Sequence, residues 1–599
     1  MRSPRLKILY LNGRRLHRAF LAGGEAVIRD QAYLNRINVF PVPDGDTGTN
    51  LASTMRAIAE SSRPHLSLRA TLRSIADAAL NGAQGNSGII FAQYLHGVSR
   101  EIEQESRLST RAFGESIRRA VAYATKAILT PVEGTMITVI RDWAEAVYRK
   151  RTETSDFEDL LTACLEVARR SLGETTVKLE ALAKAGVVDA GAKGFVDFLE
   201  GIHLFIKKGR LRRKTDAPPA VDWDPGPATA PAKDKPLEQR YCTEALLSGR
   251  SLDPEAVREV VRRFGKSAVV AGSDEKVRIH VHTNAPAELV QELRAQGEIV
   301  QIKVDDIHRQ YDAAHRPKSR IAIVTDSGCD LPPEIFDERQ IHLIPLIVTI
   351  GGQQYLDKLT ISPGRFYELL RTPGPRPTTA VPPQQTVHNA FAYLAAHYES
   401  LIVITMSEKL TGVYSLCRTV AGLFPGRKIS VLDSRGLSAT QGLLVARASE
   451  AALAGVSHED IVKSVEAWSA RLRFFVDVES MESLIRSGRV SPMKGLIARA
   501  LNIKPLIVID GEGQAAEDGK SFSRRGNMAK ILRKIERLTL AENVWNYTIV
   551  HARNRARAEI YAERLAAIVG KPPAYILDVS PVVGVHVGIG AVGIAFLDD

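Results

Sequence analysis

The sequence predicts a multidomain protein with an N-terminal all-α domain, a small α+β domain of ferredoxin-like order and a C-terminal α/β domain. Three changes of rhythm carry this reading. Apolar residues keep helical spacing from Leu16 to about Lys208, a Pro- and Ala-rich stretch then breaks the pattern, and two kinds of strand–helix alternation follow. A chain of 599 residues has room for three or more domains of about 100–200 residues each.

In the first third, Leu68, Leu72, Ile75 and Ala79 step by four, three and four, and Ile117, Val121, Ala124 and Ile128 repeat that step. This is the periodicity of amphipathic helices in a bundle or helical barrel. Residues 38–50, NVFPVPDGDTGTN, interrupt it. Pro41 and Pro43 bar a helix from running through, while Gly45 and Gly48 allow sharp turns. Asp44 and Asp46, with the hydroxyls of Thr47 and Thr49, form a set that could hold a hard cation and the phosphates riding on it. Taken alone, the run reads first as an Asx-type turn. It is not an EF-hand, because counting from Asp44 the sixth position is Thr49 rather than Gly and the twelfth is Met55 rather than Glu.

Three further glycine-rich pieces lie between helical patterns: residues 81–88 (NGAQGNSG), 130–136 (TPVEGTM) and 185–194 (AGVVDAGAKG). They are expected to converge at one end of the helical domain. Gly82, Gly85 and Gly88, with Ser87, would let backbone N–H groups approach phosphate oxygens at a helix start, or would merely join two helices. No Walker A pattern occurs, which excludes a P-loop fold.

Residues 209–237 open on a basic run (Arg210, Arg212, Arg213, Lys214) and continue in Pro, Ala and Asp, the composition of a semi-stiff tether. Then YCTEALLS reads as strand, DPEAVREVVRRF as helix, SAVVAG and KVRIHVHT as strands, PAELVQELRAQG as helix and EIVQIKV as strand. This βαββαβ order is ferredoxin-like and spans about 80 residues. His280 and His282 lie two apart on the third strand and share a face, which Cys242 on the neighbouring first strand could reach. One thiolate and two imidazoles with an open position suit zinc, though the set is incomplete for a closed structural site. The alternative is two ordinary strand histidines and a half-buried cysteine.

From Arg320 onward IAIVTDS, LIVITMS, ISVLDS and YTIVHA are apolar strands ending in small polar residues, which predicts a mainly parallel sheet. Functional groups are expected at the carboxyl ends of those strands, where Asp326-Ser327, Ser407 and Asp433-Ser434 fall. Gly588, Gly590 and Gly593 fit G-x-G-x-x-G, but the six residues that follow cannot supply the helix and strand of a dinucleotide site.

Eighty basic against 68 acidic residues leave a net charge of +12, which favours anionic partners such as nucleotide, acidic protein or a membrane surface. No sustained basic block reads as a nucleic-acid arm. The four cysteines, Cys164, Cys242, Cys329 and Cys417, form no CxxC pair and fit a reducing cytoplasm. No apolar run approaches the roughly 20 residues of a membrane span.

Together the four N-terminal loops resemble the DhaL-like ATP-binding domain of dihydroxyacetone kinases, and more closely the kinase subunit of bacterial fatty acid kinase, over roughly residues 10–210. The resemblance implies a helical barrel with Mg-ATP on its rim. Magnesium would sit on Asp44 and Asp46, with Asn38 as a third polar ligand, and nucleotide against Thr47, Thr49, Asn50, Asn86, Ser87, Gly88, Thr135, Met136 and Asp189. The usual Asp-Ala-Gly-Gly becomes Asp189-Ala-Gly191-Ala192. The YCTE and HVHTN pieces resemble the middle domain of the same kinase protein, which implies a metal-linked site at Cys242, His280 and His282.

The runs VTDSGCDLPPE, SEKLTGVYS, LIRSGRV and LNIKPL, with the closing PVVGVHVGIGAVG, resemble the DegV family of fatty-acid-binding proteins over residues 320–599. That family implies two α/β lobes around an acyl tunnel. The acyl carboxylate would meet Thr379, Thr411, Arg489 and His586, with Gly412 and Gly488 keeping the loops close. Here Ala380 and Val381 replace a Ser-Gln pair and Val413 a Thr, which shifts the anchoring onto Arg489 and His586.

The expected domains are therefore a kinase domain at 1–208, a linker at 209–237, a middle domain at 238–318 and a fatty-acid-binding domain at 319–599. The expected function is an ATP- and Mg2+-dependent fatty acid kinase fused to its acyl carrier, with Arg489 and His586 at the reacting carboxylate and Zn2+ as a further metal. The expected partners are fatty acid, ATP, a downstream acyltransferase or acyl carrier protein, the membrane surface and a second copy of the chain, but no nucleic acid. A lipid sensor with a degenerate nucleotide domain and a small-polyol kinase of the dihydroxyacetone type are the competing readings. Against the latter, the chain has no separate ketone-binding domain.

Overall fold

The computed structural model describes residues 7–103, 106–208, 238–371, 376–480, 482–488, 504–541 and 543–598. The expected linker, 209–237, and Arg489 lie outside them. Two compact units result, Met1–Tyr311 and Asp312–Asp599.

Unit 1 begins with helices from Gly13–Arg29 to Ala190–Lys208, and the last packs back on the first, so the helices close into a ring. Its centre is aromatic. Phe91 and Phe198 meet at 4.9 Å between ring centroids and Trp143 and Phe195 at 5.6 Å, all buried. Four of these helices start on side-chain caps from the sequence: Asn12 on Arg15 N–H, Ser67 on Ala70 N–H, Ser109 on Ala112 N–H and Asp156 on Glu158 N–H. Gln84, before the helix Gly85–Glu101, makes no such bond.

The ring is followed by four strands, β1 (Tyr241–Ser248), β2 (Gly265–Gly272), β3 (Lys276–Thr283) and β4 (Glu298–Asp306), with helices Pro254–Phe264 and Pro286–Arg294. Their antiparallel order, β2–β3–β1–β4, is the ferredoxin-like one that the element sequence predicts. Alternation gives the sheet two unlike faces. Ala245, Leu247, Val277, Ile279 and Val281 build an apolar core of their own. On the opposite side Val269 and Ala271 of β2 join the core of the helical ring, and Arg278 Nε donates to Ala83 O at 2.8 Å. Ring and sheet are thus one compact unit.

Unit 2 contains β5 (Ile321–Asp326), β6 (His342–Ile344), β7 (Ile347–Ile350), β8 (Gln353–Leu356), β9 (Thr378–Ala380), β10 (Ser400–Thr405) and β11 (Lys428–Asp433). Beyond these come β12 (Leu472–Asp477), β13 (Lys504–Ile509), β14 (Ala515–Ser521), β15 (Val544–His551), β16 (Ile576–Asp578) and β17 (Val592–Asp598). The sheet β11–β10–β5–β6 is parallel throughout, as expected. The sheet β14–β13–β12–β17–β15–β16 is not, since only β15 and β16 run parallel. The run YTIVHA belongs to this second sheet, so the expectation of a mainly parallel arrangement holds for one lobe only. Asp510 and Gly511 turn β13 back into β14, Asp510 Oδ1 accepting the Glu512 and Gln514 N–H groups at 3.0 and 2.9 Å.

The strand-end residues of the parallel sheet act as braces. Asp326 Oδ1 accepts Gly328 N–H at 2.9 Å and Oδ2 accepts Met406 N–H at 2.7 Å, and Ser407 Oγ donates to Gly513 O at 2.8 Å. Buried Asp326 and Ser407 are therefore spent on joining strand ends.

Candidate functional site

Residues 38–50 fold into a loop that runs directly into the helix Thr47–Ser61. Asn38 organises it: its Oδ1 accepts from Thr47 N–H at 2.9 Å and from the Thr47 hydroxyl, and its Nδ2 donates to Val42 O at 2.8 Å and Asp44 Oδ1 at 3.2 Å. The oxygen expected to face a cation is turned onto Thr47, so Asn38 braces the loop from within. Thr49 is likewise engaged, accepting from Asn35 Nδ2 at 3.0 Å and Gln31 Nε2 at 3.3 Å.

Asp44 and Asp46 remain as a half-buried carboxylate pair. Desolvation and the Asp46 charge push Asp44 well above the usual carboxylate range. Desolvation also raises Asp46, against the pull of the Lys303 ammonium and an Asn50 hydrogen bond. Two carboxylates forced together in this way suit a divalent oxygen-seeking cation.

The other glycine loops meet this one. A Cβ on Gly85, whose φ is +62°, would lie 2.4 Å from Asn50 Nδ2, and one on Gly191 would lie 2.5 Å from Ser87 Oγ. Asp189 Oδ1 accepts Ala192 N–H at 2.8 Å, and the same carboxylate bonds the backbone of Met136 and Gly191. Burial outweighs those bonds and lifts Asp189 to about 6. Asn50, Ser87, Met136 and Asp189 therefore come together. Asn86 Oδ1 is buried with no hydrogen-bond partner among the described residues. Thr135 donates its hydroxyl to Val132 O at 2.8 Å. Gly82 serves packing, since a Cβ there would lie 2.1 Å from Ala57 Cβ.

On the sheet, Cys242 pairs with His282 and Glu244 with His280 across β1 and β3, and Cys242 with Asp305 and Glu244 with Lys303 across β1 and β4. Ligand atoms of Cys242, His280 and His282, all buried, lie within 4.8 Å of one another. His280 Nε2 is 3.3 Å from His282 Nε2 and 4.0 Å from Cys242 Sγ. Burial and the His280 neighbour hold His282 at about 3, so its ring is neutral, while burial and the Glu244 and Asp305 carboxylates push the Cys242 thiol up. A thiol and two imidazoles with these spacings match the donor set of zinc. Glu244 Oε1, 3.2 Å from His280 Nδ1, supplies the outer carboxylate that metal-bound histidines commonly use.

In unit 2 a cavity of about 220 Å³ is lined by Leu346, Met406, Phe474, Val476, Ile507 and other apolar groups. Thr379, Thr411, Gly412 and His586 all border it, and Thr379 Oγ1 is 3.1 Å from His586 Nε2. Gly412 has no steric need to be glycine, whereas Gly488 has φ +73°. The helix Pro581–Val587, which carries His586, is anchored by two buried acids: Asp330 Oδ1 accepts Ser580 N–H at 3.1 Å and Asp357 Oδ1 accepts Val582 N–H at 3.3 Å. Lys358 Nζ lies 3.3 Å from Asp330 Oδ1.

Family comparison matches residues 41–204 to the DAK2 domain, 238–314 to the FakA-like middle domain of fatty acid kinase and 320–599 to the "uncharacterised protein, DegV family". The chain joins a DAK2, a FakA-like and a DegV domain. Among curated proteins, an uncharacterized protein of Staphylococcus saprophyticus is 31% identical over 50% of this chain and 56% of its own length. One of Staphylococcus aureus is 30% identical over 52% and 58%. The chain thus spans about half the length of these relatives. Among solved structures, a fatty-acid-binding DegV family protein from Thermus thermophilus is 24% identical, covering 47% of this chain and 100% of its own with a TM-score of 0.44. DegV, a fatty acid binding protein from Bacillus subtilis, is 26% identical over the same shares with a TM-score of 0.44.

Sequence reasoning missed Glu244, Lys303 and Asp305 of the middle domain. Glu244 was within reach, because it lies two residues from Cys242 and shares its face of β1. Lys303 Nζ pairs with Asp305 Oδ2 at 2.6 Å, and its charge is also felt by Glu244, Cys242 and Asp46. Burial opposes the Lys303 charge, but Asp305, Glu244, Cys242 and Asp46 together keep it protonated.

The carboxylate pair gives a signed test. An Asp whose folded pKa is raised binds more protons folded than unfolded, so its ionisation costs stability as pH rises, fully above the raised value. Asp44→Asn is expected to melt higher than wild type at pH 8 in chelator, by the few degrees that about 1 kcal/mol produces. The gain shrinks as pH falls, and millimolar Mg2+ raises the wild-type melting temperature only. A variant that melts lower in chelator at pH 8 contradicts the repulsion.

Proposed function

We propose that this protein is an ATP-dependent fatty acid kinase fused to its acyl carrier, phosphorylating the carboxylate of a fatty acid held in the DegV domain. The observation that carries the reading is that one chain contains both a half-buried carboxylate pair among converging glycine loops and an apolar cavity with Thr379, Thr411 and His586 at its border.

A fatty carboxylate, with a pKa near about 4–5, is ionised at neutral pH and needs no general base. Its oxygen forms a bond to the terminal phosphorus of ATP as the bond to the bridging oxygen breaks, and ADP leaves with the electron pair. Asp44 and Asp46 would hold Mg2+, which when bound neutralises phosphate charge. Asn50, Asn86, Ser87, Gly88 and Asp189 shape the nucleotide site, and Lys303 adds a fixed positive charge next to Asp46. Thr379, Thr411 and His586 orient the acyl carboxylate, with Arg489 as its cation. Cys242, His280 and His282 would hold zinc. The acyl phosphate then passes to an acyltransferase or acyl carrier protein for phospholipid synthesis. Transfer requires the acyl domain to meet the nucleotide domain, within one chain or between two.

Incubation of the protein with Mg-ATP, oleate and hydroxylamine is expected to yield acyl hydroxamate and ADP. Asp46→Ala should lower the rate by at least about 100-fold through loss of charge neutralisation, and His586→Ala should raise the oleate requirement. A wild type that forms no hydroxamate would leave a lipid carrier or sensor, a reading that Ala380 and Val381 at the cavity border favour.

For the metal, elemental analysis should find about one zinc per chain in wild type and little after Cys242→Ser. Absence of zinc from both would make Cys242 an ordinary buried thiol.

A further inference from the structure

We propose that Glu244 is a positioning residue that ties the Cys242–His280–His282 group to the first turn of the helix Gly85–Glu101, so that metal at the one and nucleotide at the other alter each other's affinity. The inference rests on the metal and nucleotide readings above and adds the link between them.

A single oxygen makes the connection. Glu244 Oε1 accepts the Gly85 N–H at 2.6 Å and lies 3.2 Å from His280 Nδ1. A carboxylate can only accept here, so Nδ1 is the donor to Glu244 and Nε2 is the lone pair that faces His282, with Cys242 Sγ alongside the ring at 3.6 Å from Nδ1 and 4.0 Å from Nε2. The bond to Gly85 replaces the N-cap that Gln84 does not provide, and the negative charge suits a helix N-terminus. Glu244 is 3% exposed, so neither bond can be exchanged for water without moving the strand.

The neighbours on β3 hold the same loop. Arg278, two residues before His280, donates Nε and Nη2 to Ala83 O at 2.8 and 2.5 Å, and Lys276 Nζ reaches Asn81 Oδ1 at 3.0 Å. Residues 81–85 are therefore gripped at side chain, carbonyl and N–H by the strands that carry the Cys-His-His group. At Gly85 the loop has no slack, because its φ is +62° and Asn50 packs where a Cβ would be. A shift of the His280 ring on taking a metal must pass through Glu244 to the Gly85 amide, one turn from Ser87 and Gly88.

The test uses the full-length protein and two probes, zinc and Mg-ADP, titrated singly and then each in the presence of the other. Zinc is expected to change the Mg-ADP dissociation constant at least about 5-fold, and Mg-ADP to change that of zinc by the same factor, as linkage requires. In Glu244→Gln and Glu244→Ala both probes still bind, zinc about 10–100-fold more weakly, and the mutual factor falls towards one. A factor of one in wild type overturns the proposal whether or not the variants fold, as does an unchanged factor in the variants. If either probe fails to bind wild type in its single titration, the underlying reading of that site falls and takes the proposal with it, a result distinct from binding without coupling.

Discussion

The hydrogen bond from Gly85 N–H to Glu244 Oε1 is the contact on which the organisation of the N-terminal half depends. Without it the helix Gly85–Glu101 would start on an uncapped turn, and the sheet would present a buried carboxylate with one partner fewer. Leaving a buried charged group short of a hydrogen bond costs about 1–3 kcal/mol or more. Both surfaces therefore require each other. The DAK2 ring supplies amides and the Asp44–Asp46 pair, and the middle sheet supplies Glu244, Arg278 and Lys303 around them. Charge balance follows from the same arrangement, since Lys303 opposes the raised pKa of Asp46 while Asp305 and Glu244 keep Lys303 protonated.

The DegV unit shows a comparable economy with different groups. Asp330 and Asp357, buried on loops after β5 and β8, hold the start of the helix Pro581–Val587, and His586 near its end meets Thr379 across the cavity border. Desolvation lifts Asp357 to about 7 despite Lys358, the expected consequence of setting a carboxyl in an apolar wall to fix a backbone. The acids nearest the strand ends orient the scaffold, and the polar side chains bordering the cavity, Thr379, Thr411 and His586, come from β9, the residue before Gly412 and that short helix.

Much of this was legible in the sequence because it rests on local periodicity. The helical spacing of the first third, the βαββαβ order and the shared face of Cys242, His280 and His282 each follow from a period of 3.6 or 2. What was not legible depends on register and long-range contact. Lys303 faces Glu244 only because β4 pairs with β1, and Gly85 meets a residue 159 positions away. Side-chain commitments were equally hidden: Asn38 looked like a ligand because its type fits, yet its oxygen is used by Thr47. The antiparallel second sheet escaped because short apolar strands read alike in either direction, although Asp510-Gly511 is a hairpin signal.

The central claim is that ring and middle sheet share one polar site through Glu244. Amide hydrogen exchange at Gly85 in the full chain tests it most directly, comparing wild type with Glu244→Ala in the absence of ligands. The account predicts a protected Gly85 amide in wild type and a loss of protection of about 10–100-fold in the variant, confined to residues 83–88 and the facing strands. Equal protection in both proteins, or free exchange at Gly85 in wild type, would contradict it.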